Sequence, residues 1–180
     1  CKSLANVVIP DSITEIGDCA FRGCSKLTSI AIPVSVKSIG DRAFNGCKSL
    51  AKVVFPDSVT EVGECAFSYP SSIKSIGLGM FEHCTSLATV DIPDSVEFIG
   101  ADAFRSCKSL ASIDIPDSVT KIGECAFRGC SNLTSIAIPS SIKSIGLGMF
   151  EHCTSLATVD IPDSVESIDA SAFRGCPLLQ

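Results

Sequence analysis

A repeat solenoid is the fold this chain predicts, and three regularities predict it. An apolar residue followed by Phe recurs eight times, at Ala20-Phe21, Ala43-Phe44, Ala66-Phe67, Met80-Phe81, Ala103-Phe104, Ala126-Phe127, Met149-Phe150 and Ala172-Phe173, most copies lying 23 residues apart. Three residues after Phe comes Cys, in every copy but the one at Phe67. Three residues after that Cys comes Leu, opening a short Ile- and Val-rich segment that ends in Pro. A fixed period of this length means coils that bury their apolar faces only against their neighbours. Residues 1–180 are therefore expected to form one array of about eight coils, with a core of Ile, Val, Leu, Ala, Cys and one Phe per coil. The repeat phase at Cys1 and after Cys176 predicts an excerpt of a longer protein.

The coil from Leu27 shows the elements in order. Ile30 and Ile32 alternate with small residues before Pro33, which reads as a short strand. Seven such segments start at Leu4, Leu27, Leu50, Leu87, Leu110, Leu133 and Leu156, and stacking them in parallel predicts one sheet with strands about 4.8 Å apart. Pro followed by Asp-Ser, as in Pro56-Asp57-Ser58 or Pro116-Asp117-Ser118, is turn chemistry. Val36 and Ile39 then return two apolar side chains inward, as a second short strand. Gly17, Gly40, Gly63, Gly77, Gly100, Gly123 and Gly146 follow, with Asp169 in the last copy, which predicts a corner at positive φ. The stretch 41–47 is too short for an independent helix and is expected to make a single helical turn on the outer side.

The consensus Leu-x-x-Ile-x-Ile-Pro-x-Ser-Val-x-x-Ile-Gly-x-x-Ala-Phe-x-x-Cys resembles the BspA-type leucine-rich repeat of the 23-residue treponemal class. The resemblance covers essentially the whole chain. It implies a leucine-rich-repeat solenoid: a right-handed superhelix with a concave parallel β-sheet, and short strands and single helical turns on its outer side. It also implies a setting on surface or secreted proteins, some of them adhesive, and it brings no catalytic residues.

Two irregularities interrupt the pattern. Residues 70–97 and 139–166 are the same 28-residue string, which indicates a recent block duplication. Phe67 and Phe81 are 14 residues apart rather than 23, so nine residues are missing. The coil at Phe67 thus lacks its Cys, Leu and strand. A sheet discontinuity is expected near Ser68-Tyr69-Pro70, with the strands at Leu50 and Leu87 either pairing directly or splaying. A tolerated deletion accounts for the gap more simply than a hinge.

Composition removes several classes of function. A net charge of −6 with no basic cluster argues against nucleic acid, since phosphate recognition needs dense Lys and Arg. The sequence contains no apolar run long enough to cross a bilayer, so no membrane insertion is expected in this segment. Eleven cysteines invite a disulfide or zinc reading, but Cys1, Cys24, Cys47, Cys84, Cys107, Cys130, Cys153 and Cys176 share one repeat position. They are expected to form a buried ladder of small hydrophobes, whose parallel Cβ vectors suit a disulfide poorly. Cys19, Cys65 and Cys125 occupy a second, partly exposed slot in non-adjacent coils. His83 and His152 are duplicates separated by about 14 Å at strand spacing and cannot share a metal. No metal site, cofactor or catalytic constellation is expected, and the chain is read as not an enzyme. The residue after each Phe forms a further row, in which Glu82 should lie beside Arg105 and Glu151 between Arg128 and Arg174, as exposed ion pairs of small energetic weight.

In the resembled family the outward strand residues form the concave recognition face. Here that face would carry Lys52, Thr89, Asp91, Ser112, Asp114, Ser135, Thr158 and Asp160, with Asn6, Val8, Ser29, Ala31, Val54 and Ala137 beside them. The outline is small and polar, without the aromatic or Arg anchors of strong interfaces. The leading expectation is a non-enzymatic interaction module from a cell-surface or secreted adhesin-like protein, taking a protein or glycan ligand on this face. A structural spacer without a ligand of its own is the competing expectation. Reduced thiols leave a cytoplasmic setting open as well.

Overall fold

The computed structural model of the chain describes residues 2–54, 61–62, 75–92, 94 and 96–179. Within each coil two strand positions alternate. The long strands are β2 (Ser29–Ala31), β4 (Lys52–Val54), β7 (Thr89–Asp91), β10 (Ser135–Ala137) and β12 (Thr158–Asp160). The short strands are β1 (Glu15–Ile16), β3 (Ser38–Ile39), β5 (Glu61–Val62), β6 (Ser75–Ile76), β8 (Phe98–Ile99), β9 (Lys121–Ile122), β11 (Ser144–Ile145) and β13 (Ser167–Ile168). Every pairing is parallel, between successive coils, in the orders β2-β4-β7, β10-β12, β1-β3-β5, β6-β8-β9 and β11-β13. The segments after Leu4 and Leu110 enter no strand ladder, although Ile113 still turns its side chain into the core.

Period-2 alternation does the burying. In β2, β7 and β10 the middle residue is buried and its two neighbours are exposed. Leu27, Leu50, Leu87, Leu110, Leu133 and Leu156 are fully buried, as are Phe44, Phe81, Phe104, Phe127 and Phe150. The Phe rings stack in one column from Phe21 to Phe173, with centroids 5.4–6.1 Å apart. Offset-stacked aromatic pairs add about 0.5–1.5 kcal/mol each beyond the area they bury.

The outer wall is not helical. The N–H groups of Ala126, Arg128 and Cys130 bond back three residues to Gly123, Cys125 and Phe127. The N–H groups of Cys125, Phe127 and Gly129 between them reach the carbonyls of Leu147, Met149 and Glu151 in the next coil. The same alternation recurs from Cys19 to His152, so consecutive tight turns replace the expected helical turn. The reason is backbone satisfaction. In a helix every N–H points along the helix axis, so none would reach the neighbouring coil and the coil-to-coil ladder would lack donors. Alternating the direction requires left-handed residues two before and two after Phe, and φ is positive at Cys19, Arg42, Gly79, Asp102, Cys125, Gly148 and Ser171, then at Gly23, Gly46, His83, Ser106, Gly129, His152 and Gly175.

The recurrent Gly after the short strand is therefore not the positive-φ corner expected of it. Gly17, Gly40, Gly100, Gly123 and Gly146 all lie outside that region. Close approach explains Gly40, Gly100 and Gly123 instead, whereas a Cβ on Gly17 or Gly146 would meet no backbone atom. A Cβ on Gly100 would fall 2.7 Å from the carbonyl carbon of Gly77, and one on Gly123 would fall 2.7 Å from that of Gly100. Gly63 lies outside the described residues. The Pro turns form as expected, with Val36, Val119, Ile142 and Val165 donating to Pro33, Pro116, Pro139 and Pro162. The hydroxyls of Ser118, Ser141 and Ser164 reach across one coil, with Ser118 Oγ donating to Val96 at 2.7 Å and Ser164 Oγ to Ile142 at 3.2 Å, whereas Ser35 Oγ is buried without a partner among the described residues.

The gap is closed by direct pairing. β4 pairs β7 with Lys52 opposite Thr89, Val53 opposite Val90 and Val54 opposite Asp91. Phe44 stacks on Phe81 at 6.1 Å. Of the two expected arrangements, direct pairing and splaying, the long-strand sheet takes direct pairing and shows no discontinuity there. The break falls in the short-strand layer, where β5 ends one sheet and β6 begins another. With a whole long strand deleted, the chain visits the short-strand position twice between β4 and β7. Ser68, Tyr69, Pro70, Cys65 and Phe67 lie outside the described residues.

Candidate functional site

The long-strand face gathers most of the residues that the repeat pattern singled out. Thr89, Asp91, Ser135, Thr158 and Asp160 are exposed on β7, β10 and β12. Register sets Thr89 against Lys52, Thr158 against Ser135 and Asp160 against Ala137. Ser112 and Asp114 are exposed too, but their segment joins neither neighbouring ladder. The deletion brings Lys52 and Thr89, which are 37 positions apart, onto adjacent rungs. Asp160 stays remote from the Asp91 and Asp114 coils, as its repeat number requires. Among the described residues no group of three or more His, Cys, Asp and Glu is arranged to hold a metal ion.

The row after Phe carries more structure than a solvated surface. Glu82 lies 3.7 Å from Arg105 and accepts from Asn45 Nδ2 at 2.9 Å. Glu151 meets Arg128 Nε at 3.1 Å, Arg174 at 3.6 Å and His152 at 3.5 Å. Its residue is only 6% exposed, so this is a buried carboxylate clamped between three coils rather than an exposed pair. Among the described residues His83 and His152 have only their own adjacent Glu as ion-pair partners, and both sit at φ +62 in the slot that Gly occupies elsewhere. Neither forms a shared site.

The cysteine ladder has a polar role as well as an apolar one. Cys47, Cys84, Cys107, Cys130, Cys153 and Cys176 each donate Sγ–H to a Phe carbonyl of the preceding coil, at 3.1–3.2 Å. Burial is the main reason that the Cys47 thiol is pushed up to about 11 and that of Cys153 to about 12, with the neighbouring Cys adding to each. Burial also raises Cys84, Cys107 and Cys130 strongly. Thiols held neutral in this way are poor nucleophiles and poor metal ligands. Cys19 is exposed and Cys125 half-buried, both at positive φ.

A groove of about 550 Å³ was not anticipated. It is lined by the glycine row Gly77, Gly100, Gly123 and Gly146 and by the adjoining Ile76, Ile99 and Ile122. One wall holds Ser75, Phe98, Lys121 and Ser144, and the other Leu78, Ala101 and Glu124. The residues after these glycines that line it are Leu78, Ala101 and Glu124. In the first coils Asp18 fills the equivalent space, accepting from the Asp41 N–H at 2.8 Å. The available signal was Phe98, the first residue beyond the duplicated block, which stands where its copy has Ser167.

Repeating parallel strands, a stacked Phe column and a buried Cys-Leu ladder define a leucine-rich-repeat protein. The chain belongs to the BspA type leucine rich repeat family, whose pattern matches residues 1–78 and 67–180 in six copies. It is similar to the crystal structure of a leucine-rich repeat protein from T. pallidum, at 36% identity and a TM-score of 0.79, over 93% of this chain and 72% of that one. It is also similar to a leucine-rich repeat protein from Bacteroides ovatus, at 32% identity and a TM-score of 0.64, over 100% of this chain and 55% of that one. A search of curated protein sequences finds no match. Among the described residues no helix is long and apolar enough to cross a membrane.

Proposed function

We propose that the chain is a non-enzymatic interaction module of a cell-surface or secreted, adhesin-like protein, with the long-strand face as its recognition surface. On this reading the stack curves as a right-handed superhelix with that face concave. A protein or glycan ligand lies across Lys52, Thr89, Asp91, Ser112, Asp114, Ser135, Thr158 and Asp160. The observation that carries the reading is the in-register β4–β7 pairing, which keeps the strand register continuous where nine residues are missing. Membership of the BspA-type family supports the surface setting. The test is binding of the chain to matrix proteins, glycans and cell surfaces beside Asp91→Lys/Asp114→Lys. Saturable binding lost in the double variant supports the reading, and binding indifferent to it contradicts it.

The spacer reading is favoured by one observation. The outward residues of β7 and β12 are identical, Thr and Asp, and among the described residues the strands include no Tyr, Trp or Arg. A face without such anchors suits weak or avidity-driven contact. A folded chain that binds nothing in the panel would favour this reading.

A further inference from the structure

We infer a second binding site, independent of the long-strand face: the glycine-floored groove takes a neutral, linear oligosaccharide. Four observations converge on that ligand class. The trough carries no Cβ atoms along its glycine row, and at Gly100 and Gly123 the coils approach so closely that no side chain fits, so it is not divided into side-chain pockets there. Peptide docking draws its specificity from such pockets, and this groove supplies none. Phe98 stands on the rim with 42% of its surface exposed, although the core rings are fully buried. An exposed ring offers an apolar face to the C–H face of a sugar. Lys121 and Glu124 stand on opposite walls of one coil, so the site has hydrogen-bonding groups of both signs and balanced charge. That balance selects against polyanions and polycations. The central N–H groups of the floor are already satisfied, as Gly100 N–H donates to Ile76 and Gly123 N–H to Ile99. Polar recognition therefore falls to Lys121, Glu124 and Ser144, groups suited to hydroxyls. The groove crosses four coils, about 14 Å at strand spacing, which suits a chain lying along the stack.

The probes are neutral β-1,4-linked oligomers of glucose and of N-acetylglucosamine, titrated into the whole chain and followed by amide chemical shifts. The key variant is Phe98→Ser. Ser already occupies this position at Ser38, Ser75, Ser144 and Ser167, so the fold is expected to be retained. Saturable shifts at Gly100 and Gly123 that weaken about tenfold in Phe98→Ser, the loss expected for one aromatic stacking contact, would support the site. Asp91→Lys/Asp114→Lys should leave them unchanged. Absence of any shift with both oligomers, binding unaffected by Phe98→Ser, or groove binding by extended peptides alone would each overturn the assignment.

Discussion

Cys84 donates its thiol to the carbonyl of Phe44 at 3.1 Å, across 40 positions of sequence. Cys107 makes the same contact with Phe81 across only 26 positions, and every other rung matches that spacing. The excess of 40 − 26 = 14 residues is the spacing from Phe67 to Phe81, so the Phe and Cys columns close over the irregular coil instead of incorporating it. Each rung loses both packing and a hydrogen bond when its sulfur is removed. Cys107→Ala is expected to destabilise by about 2 kcal/mol, seen as a lower urea midpoint. Cys125→Ala, outside the ladder, should stay within about 0.5 kcal/mol.

The buried thiols tie stability to alkaline pH. Their folded values are raised, so the stabilisation is fully present below the ordinary thiol value of 9.0 and is lost as pH climbs towards the folded value. The window runs from 9.0 to about 11 for Cys47 and from 9.0 to about 12 for Cys153. Each thiol contributes a slope of about 1.4 kcal/mol per pH unit inside its window. Urea midpoints measured from pH 7 to pH 11 should be flat and then fall, and Cys47→Ala should make the fall shallower.

Two kinds of glycine should fail in different ways. Gly123→Ala places a methyl group against the backbone of the previous coil and is expected to cost about 3 kcal/mol. Gly129→Ala meets only ordinary contacts, but φ there is +72, so the cost is conformational and about 1 kcal/mol. Ser106, at φ +60 in the same slot, should gain about 0.5 kcal/mol on replacement by Gly. Thermal melts of the three variants give the order Ser106→Gly above the parent chain, then Gly129→Ala, then Gly123→Ala.

Glu151 joins three coils through Arg128 and Arg174. Its own side chain is nearly buried, whereas both arginines keep water contact. Removing the acid leaves no charge stranded, so Glu151→Ala should cost about 1–2 kcal/mol. The measurable sign is faster amide exchange at Gly129, whose N–H donates to the Glu151 carbonyl.

The legible part of the fold was what repeats. Period alone places the Phe column, the Cys-Leu ladder and the Glu82–Arg105 and Arg128–Glu151–Arg174 contacts, because stacking turns equal repeat position into proximity. The gap was only half legible. Counting shows nine residues missing, but not which layer absorbs them, since β4–β7 pairing and splaying both satisfy the count. Gly100 and Gly123 were misread because sequence distinguishes poorly between a glycine needed for φ and one needed for space. The positive-φ slots hid behind Arg42, His83 and Asp102, residues that tolerate the conformation without announcing it. Phe98 went unweighed because one aromatic in a row of Glu, Ser and Lys looks like drift until the glycine trough beside it is seen.

The direct test of the closed gap is a nuclear Overhauser map of the β4–β7 junction in the labelled chain. The account predicts cross-strand contacts between Val53 and Val90 and protection of the Ala88 amide, which donates to Ala51 at 3.1 Å. Splayed strands, with neither contact nor protection, would contradict the continuous face on which the proposed recognition surface rests.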